Sequence, residues 1–273
     1  MGDAIAATAR VVVAPLGRRR SAKALARLSG VVAPTVRVET PHGEIRFVCP
    51  TEECARVPTR FLKWEPETLA WIDDHVTPGA CLWDIGGHIG SFSLYAGAKL
   101  AKTGGEVIAF EPSAATYGVL NENIRVSGLS KTVRAFCVAV SDGTKAGLFH
   151  ISSAGAAQDG NAFGEPENVT GRFEPAFSQA MLSFSVDDLI ATFGLRSPDF
   201  LKLDVDSIEL DILRGATRAL KGIRSILIEI ESARSSAWVE GVEGLFAAAG
   251  FEREINGHDR NRVYVNKGLK AAS

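Results

Sequence analysis

The chemistry in this chain gathers where apolar runs end in glycines and acids. Leu82-Trp83-Asp84-Ile85-Gly86-Gly87-His88-Ile89-Gly90 is an apolar run followed by a glycine-rich turn. Glycine lets a backbone turn sharply and lets a ligand approach closely. A helix opening after Gly90 would aim its free N–H groups and positive dipole end at a ligand's carboxylate. Asp84, at the strand end, is placed to attract a ligand's ammonium group. Val107 to Phe110 is a second apolar run, and it ends in Glu111, 21 positions after Gly90. A carboxylate there can accept both hydroxyls of a ribose. Ser141-Asp142, past the third apolar run, falls where an adenine would lie. His88 is read either as a structural hydrogen-bonding residue or as a proton-transfer group. The expected cofactor set is therefore Asp84, Gly86, Gly87, His88, Gly90, Glu111, Ser141 and Asp142, with Asp204 added below. The glycine pattern is G-G-x-x-G, which lacks the G-x-G-x-x-G spacing of dinucleotide dehydrogenases.

Two further runs end in acids. Lys202-Leu203-Asp204-Val205-Asp206 closes a fourth apolar strand, and Ile226 to Glu231 closes a fifth. Asp204 is the leading candidate for handling a proton in the cleft, and positioning the cofactor is an equal reading of it. Glu229 shares a strand face with Glu231, opposite Ile226, Ile228 and Ile230. Glu229 could act as a base or accept a substrate hydroxyl. With Asp204 it could also form an oxygen-ligand site for a divalent metal, which the sequence leaves undetermined. Asp206, with Glu209 three residues on, fits a helix N-cap with its capping-box partner.

These residues need a scaffold that brings strand ends together. From Ala80 onward strands alternate with helices, which predicts a mostly parallel sheet covered on both faces. The expected strands are 81–85, 106–110, 133–140, 200–205 and 225–230, with helices at 91–102, 114–127, 208–220 and 235–249. Two final runs, 251–255 and 262–266, are separated by a segment opening with Asn256-Gly257 and predict an antiparallel edge hairpin. Upstream, residues 35–51 read as a hairpin around Pro41-His42-Gly43, and 65–76 as a helix. The expected organisation is an N-terminal extension over 1–79 and one α/β domain over 80–273. Residues 153–180 show no period and read as a substrate-facing lid or as disorder.

The segments Asp84–Gly90, Ala109–Pro112, Leu120–Ile124, Val138–Gly143, Val186–Leu189 and Pro198–Val205 occur in unbroken order over roughly residues 80–232. In that series the chain resembles FkbM-type methyltransferases. The resemblance implies a Rossmann-like class I methyltransferase fold with a seven-stranded sheet, and S-adenosylmethionine as cofactor. It also implies O-methylation of a hydroxyl on a glycan, another sugar or a natural product. The family pattern after Asp-Val is Glu-Gly, whereas this chain has Asp206-Ser207. A non-catalytic module keeping the fold is a second reading, and an NAD(P)-dependent oxidoreductase a third.

Composition narrows the partners. The 273 residues carry 30 Lys+Arg against 32 Asp+Glu, a formal charge of −2, which leaves no basic footprint for nucleic acid. A small-molecule or glycan substrate is expected instead. Cys49, Cys54, Cys81 and Cys137 form neither a C-x-x-C pair nor a Cys/His cluster, which predicts a reducing, cytoplasmic setting without structural zinc. No apolar run reaches the roughly 20 residues that span a bilayer. The basic cluster Arg18-Arg19-Arg20 is followed by no signal-peptide cleavage pattern. Residues 21–28 read as a short amphipathic helix, either packed on the domain or touching a membrane surface.

Overall fold

Short runs of branched and aromatic residues form strands here because both faces of the sheet they build are covered. The computed structural model describes residues 2–32, 34–206, 208–255 and 259–269. Seven strands make the main sheet: β1 (Cys81–Ile85), β2 (Glu106–Phe110), β3 (Val133–Phe136), β4 (Phe200–Leu203), β5 (Ser225–Glu229), β6 (Phe251–Glu254) and β7 (Asn261–Asn266). Their spatial order is β6-β7-β5-β4-β1-β2-β3. Strands β1 to β5 run parallel, and β7 pairs antiparallel with both β5 and β6. This is the α/β, Rossmann-like sheet with a C-terminal antiparallel hairpin that the sequence predicts. The Asn256-Gly257 turn expected between β6 and β7 lies outside the described residues.

Side chains alternate across each strand, so one sheet divides two cores. Leu82, Val107, Ala109, Phe200 and Leu227 face one core, and Cys81, Trp83, Ile108, Leu201 and Ile226 face the other. The first core also takes Val38, Ile45 and Phe47 of the hairpin Thr35–Thr40/Gly43–Val48, and Trp71 and Ile72 of the helix Pro66–His75. The Trp71 indole donates 2.9 Å to Ser225 Oγ on β5, pinning that helix to the sheet. Residues 35–79 thus pack as part of the same body as the sheet.

Three expectations are corrected. The third strand ends at Phe136 rather than Val140. Ala139–Val140 instead pairs with Ser183–Phe184 in a separate four-stranded sheet, with Lys145–Ile151 and Ala162–Phe163 as its other members. The strand Phe177–Phe184 belongs to that sheet, so the segment read as a lid or disorder over 153–180 is partly strand. Its period escapes notice because only Met181 and Ser183 are buried. The helix expected over 208–220 stops at Arg214, and a 3₁₀ turn follows at Ala219–Gly222. Asp187 explains that break. Its buried carboxylate accepts the N–H groups of Arg218 and Ala219, each at 2.9 Å.

Removing the acceptor of a buried backbone donor typically costs 1–3 kcal/mol, and Asp187 serves one buried donor, Ala219, and one more exposed, Arg218. Asp187→Ala is therefore expected to lose about 2 kcal/mol in denaturant unfolding, with a lower midpoint and an unchanged slope.

Candidate active site

The turn after β1 has the tight backbone its glycines imply. Gly86 sits at φ +88°, and a Cβ there would lie 1.8 Å from the Asp204 carbonyl oxygen. The N–H groups of Gly86 and Gly87 both donate to the Phe110 carbonyl, at 3.0 and 2.9 Å. Gly90, at φ +98°, starts the helix Ser91–Leu100, where a side chain would strike Leu120. His88 takes a left-handed backbone (φ 48°) that is uncommon for a non-glycine residue. Its N–H donates 3.0 Å to Glu111 Oε2, while Ser113 N–H donates 2.8 Å to Glu111 Oε1. Glu111 is thus fixed at the end of β2, and each of its oxygens keeps a lone pair for a ligand hydroxyl. Burial pushes its carboxyl up to about 8 even against those two hydrogen bonds.

Register builds the charged centre. β4 lies beside β1 with Lys202 directly opposite Asp84, and the two-residue period puts Asp204 on the same face as Lys202. Lys202 is 1 % exposed. Its ammonium lies 2.8 Å from Asp204 Oδ2, 3.3 Å from Asp84 Oδ1 and over the Phe92 ring. Burial alone would lower its pKa, but the charges of Asp204 and Asp84 outweigh burial and hold it above its ordinary value. Asp84's other oxygen accepts from Ser93 Oγ at 2.5 Å. Burial likewise works to raise Asp204, and Lys202 with a hydrogen bond from Glu229 overrides it, holding Asp204 below the usual range. Glu229 goes the other way. Burial, then repulsion from Asp204, pushes it up to about 9. Arg260 Nε stands 2.6 Å from Glu229, but its side chain is two-thirds exposed, so water screens much of its pull. One ionised carboxylate and one protonated carboxyl therefore share a hydrogen bond at neighbouring strand ends.

These groups face a cavity of about 490 Å³. The Gly86–His88 turn, Glu111, Asp204, Asp206 and Glu229 line its sheet side, and Arg56, Trp64, Glu65 and Glu67 line the opposite wall. Gln158, Asp159 and Asn161 reach over it from the 153–180 segment. Asp206 is one tie on that segment: its Oδ2 accepts the Asn161 N–H at 2.9 Å, while Thr116 Oγ1 accepts the Ala157 N–H at 3.1 Å. Asp206 does not cap a helix as expected, because the helix Glu209–Arg214 begins after Ile208 without a side-chain cap. Glu209 is instead buried against Arg234 at 2.7 Å. Ser207 lies outside the described residues. Burial pushes Asp206 up to about 6 and lowers His88, whose Nε2 is buried without a hydrogen-bond partner, 4.0 Å from Asp159.

Gly86, Gly87, His88, Glu111, Asp204 and Glu229 meet in this cavity. Asp84 and Gly90 stand behind its wall. Asp84 is turned to Ser93 and Lys202. Ser141 and Asp142 are carried elsewhere by the early end of β3. Ser141 N–H donates to Phe184, and Asp142 pairs with Lys145 at 2.7 Å. In their place a small apolar pocket of about 40 Å³, formed in part by Ile85, Pro112, Val138, Phe149 and Phe163, adjoins the main cavity. Sequence reasoning missed Lys202, although a lysine between two leucines in a buried strand signals a charge that needs partners. It also missed Arg56, Trp64 and Arg260, which no motif marks. Among the described residues, no three His, Cys, Asp or Glu side chains group to hold a metal ion.

Taking away a buried charge whose partners remain is strongly destabilising. Lys202→Met is expected to cost about 3–5 kcal/mol in chemical unfolding, with part of the loss recovered when Asp84→Asn is added. Glu229 gives a pH signature. Its carboxyl ionises near 4.5 unfolded and near 9 folded, so its contribution is complete below pH 4.5 and is lost as pH rises toward 9. The unfolding free energy of Glu229→Gln minus that of wild type should climb by about 1.4 kcal/mol per pH unit across pH 5–8. A flat difference would show that Glu229 ionises normally.

The chain is 25% identical over 246 residues to the hexuronic acid methyltransferase AglP of Haloferax volcanii, covering 88% of this chain and 92% of that protein. It is 26% identical over 226 residues to the AMB antimetabolite synthetase AmbE of Pseudomonas aeruginosa, where the match spans 69% of this chain and 10% of the relative. Among solved structures it is similar to the methyltransferase FkbM of Methylobacillus flagellatus, with a TM-score of 0.47 and 16% identity, covering 68% of this chain and 43% of that one. The model of the methyltransferase FkbM domain matches residues 84–253, and the chain belongs to that methyltransferase family.

Proposed function

We propose that this methyltransferase moves a methyl group from S-adenosylmethionine to a hydroxyl of a sugar or glycan. The observation that carries the proposal is the meeting, in one cavity, of the Gly86–His88 turn and Glu111 with Asp204 and Glu229 at neighbouring strand ends. The residues present fit the cofactor. The Gly86–His88 turn and Glu111 line the cavity together, and each Glu111 oxygen, held by one backbone N–H, keeps a lone pair for a ribose diol. An acid-rich wall also suits a cationic sulfonium. Bound there, S-adenosylmethionine supplies an electrophilic methyl group.

The chain's own groups then have to align an acceptor oxygen and remove its proton. Asp204 accepts the hydroxyl's hydrogen bond and so fixes the oxygen's direction. Lys202 makes it a weak base, which suffices because the hydroxyl proton becomes strongly acidic as the new C–O bond forms. Protonated Glu229 donates to Asp204 and keeps its other oxygen oriented. Trp64, half-exposed on the opposite wall with Arg56 over its ring at 5.2 Å, offers an apolar face of the kind on which sugar rings stack. The relative described as a hexuronic acid methyltransferase supports a sugar acceptor.

The test is transfer of labelled methyl from S-adenosylmethionine to a panel of sugars, with calorimetry for cofactor binding. Asp204→Asn should lower kcat by about a hundredfold or more while the cofactor Kd stays nearly unchanged. Glu111→Ala should weaken cofactor binding by about tenfold to a hundredfold. Calorimetric binding of NAD without binding of S-adenosylmethionine would overturn the proposal.

A further inference from the structure

Residues 2–32 form two helices, Gly2–Val13 and Arg18–Val32, that the active site does not use. None of the residues from 4 to 28 is buried, and none belongs to the cores on either face of the sheet. The helices hold to each other: Ser21, at the start of the second, hydrogen-bonds the Val13 carbonyl at the end of the first. Large apolar side chains nevertheless stand in water. Val11 is 72% exposed, Val12 70% and Ile5 64%, and Leu16 and Leu28 are about half-exposed. Ile5 and Val12, seven residues apart, share a helix face.

Charge says what covers them. Residues 1–32 hold six of the chain's 30 Lys and Arg but one of its 32 Asp and Glu, in a protein whose formal charge is −2. Arg20, Lys23 and Arg27 follow helical spacing, and Arg19 extends the same cationic stripe. Apolar side chains left in water beside a cationic stripe are the surface an anionic bilayer binds, with the apolar groups in the acyl boundary and the cations among the headgroups. A second copy of this chain would set like charge against like. We propose that the N-terminal helix pair docks this enzyme on anionic lipid membranes.

Co-sedimentation of the full chain with phosphatidylcholine vesicles, with and without phosphatidylglycerol, tests this. The expected result is salt-sensitive binding that requires phosphatidylglycerol. Reversing Arg19, Lys23 and Arg27 to Glu together should lower partitioning by at least about a hundredfold. Val11→Asp with Val12→Asp should also release the protein. Circular dichroism and cofactor binding should be unchanged in both variants, which separates loss of docking from loss of fold. Failure of the wild type to bind phosphatidylglycerol vesicles, equal binding to neutral vesicles, or a dimer that Val11→Asp and Val12→Asp dissolve in the absence of vesicle binding would each overturn the proposal. None of these outcomes bears on methyl transfer, so the two proposals fail separately.

Discussion

A single buried ammonium, that of Lys202, sets the terms for the rest of the site. It lies in a strand whose neighbours are apolar, and burying it alone would cost several kcal/mol. Parallel register resolves the cost by placing Asp84 across from it and Asp204 two residues on, so two carboxylates flank one cation. The arrangement holds Asp204 below the usual carboxylate range, while burial first and repulsion from Asp204 second push Glu229 up to about 9. Asp84 therefore acts from behind the cavity wall, through Lys202. The tight Gly86 turn follows from the same packing, since β1 and β4 are so close there that only hydrogen fits between Gly86 and the Asp204 carbonyl.

The fold was largely legible in the sequence because its signals are local. The glycine turn, the acid-ended strands and the alternation with helices all sit within short windows. What escaped depends on pairing between distant segments. Val138 to Val140 is as apolar as a strand of the main sheet, yet Ala139–Val140 pairs with Ser183–Phe184 once that second strand exists. With it, Ser141 and Asp142 lie outside the lining of both cavities. Lys202 was visible as an anomaly, but its partners depend on register that no local pattern encodes. The wall made by Arg56, Trp64, Arg260 and Asn261 lies outside the family match over 84–253, so the resemblance said nothing about it.

Asp206 shows how a departure from a family pattern acquires meaning from structure. Its spacing to Glu209 satisfies a capping rule, and capping is a good local explanation. The carboxylate instead reaches across to the backbone of Asn161, and so holds the segment carrying Gln158 and Asp159 over the cavity. A shorter side chain than the family's glutamate is consistent with a partner this close. Glu209, freed from the capping box, is buried with Arg234, whose guanidinium lies over the Trp238 ring.

The central claim is that Lys202 divides two adjacent carboxyls into one ionised and one protonated group. Carbon-detected NMR of the Asp and Glu side-chain carboxyls across neutral pH measures this directly. The account predicts an Asp204 signal that stays in its ionised position throughout, and a Glu229 signal that stays protonated until the pH approaches about 9. A Glu229 carboxyl already ionised at neutral pH, or an Asp204 carrying the proton in its place, would contradict it.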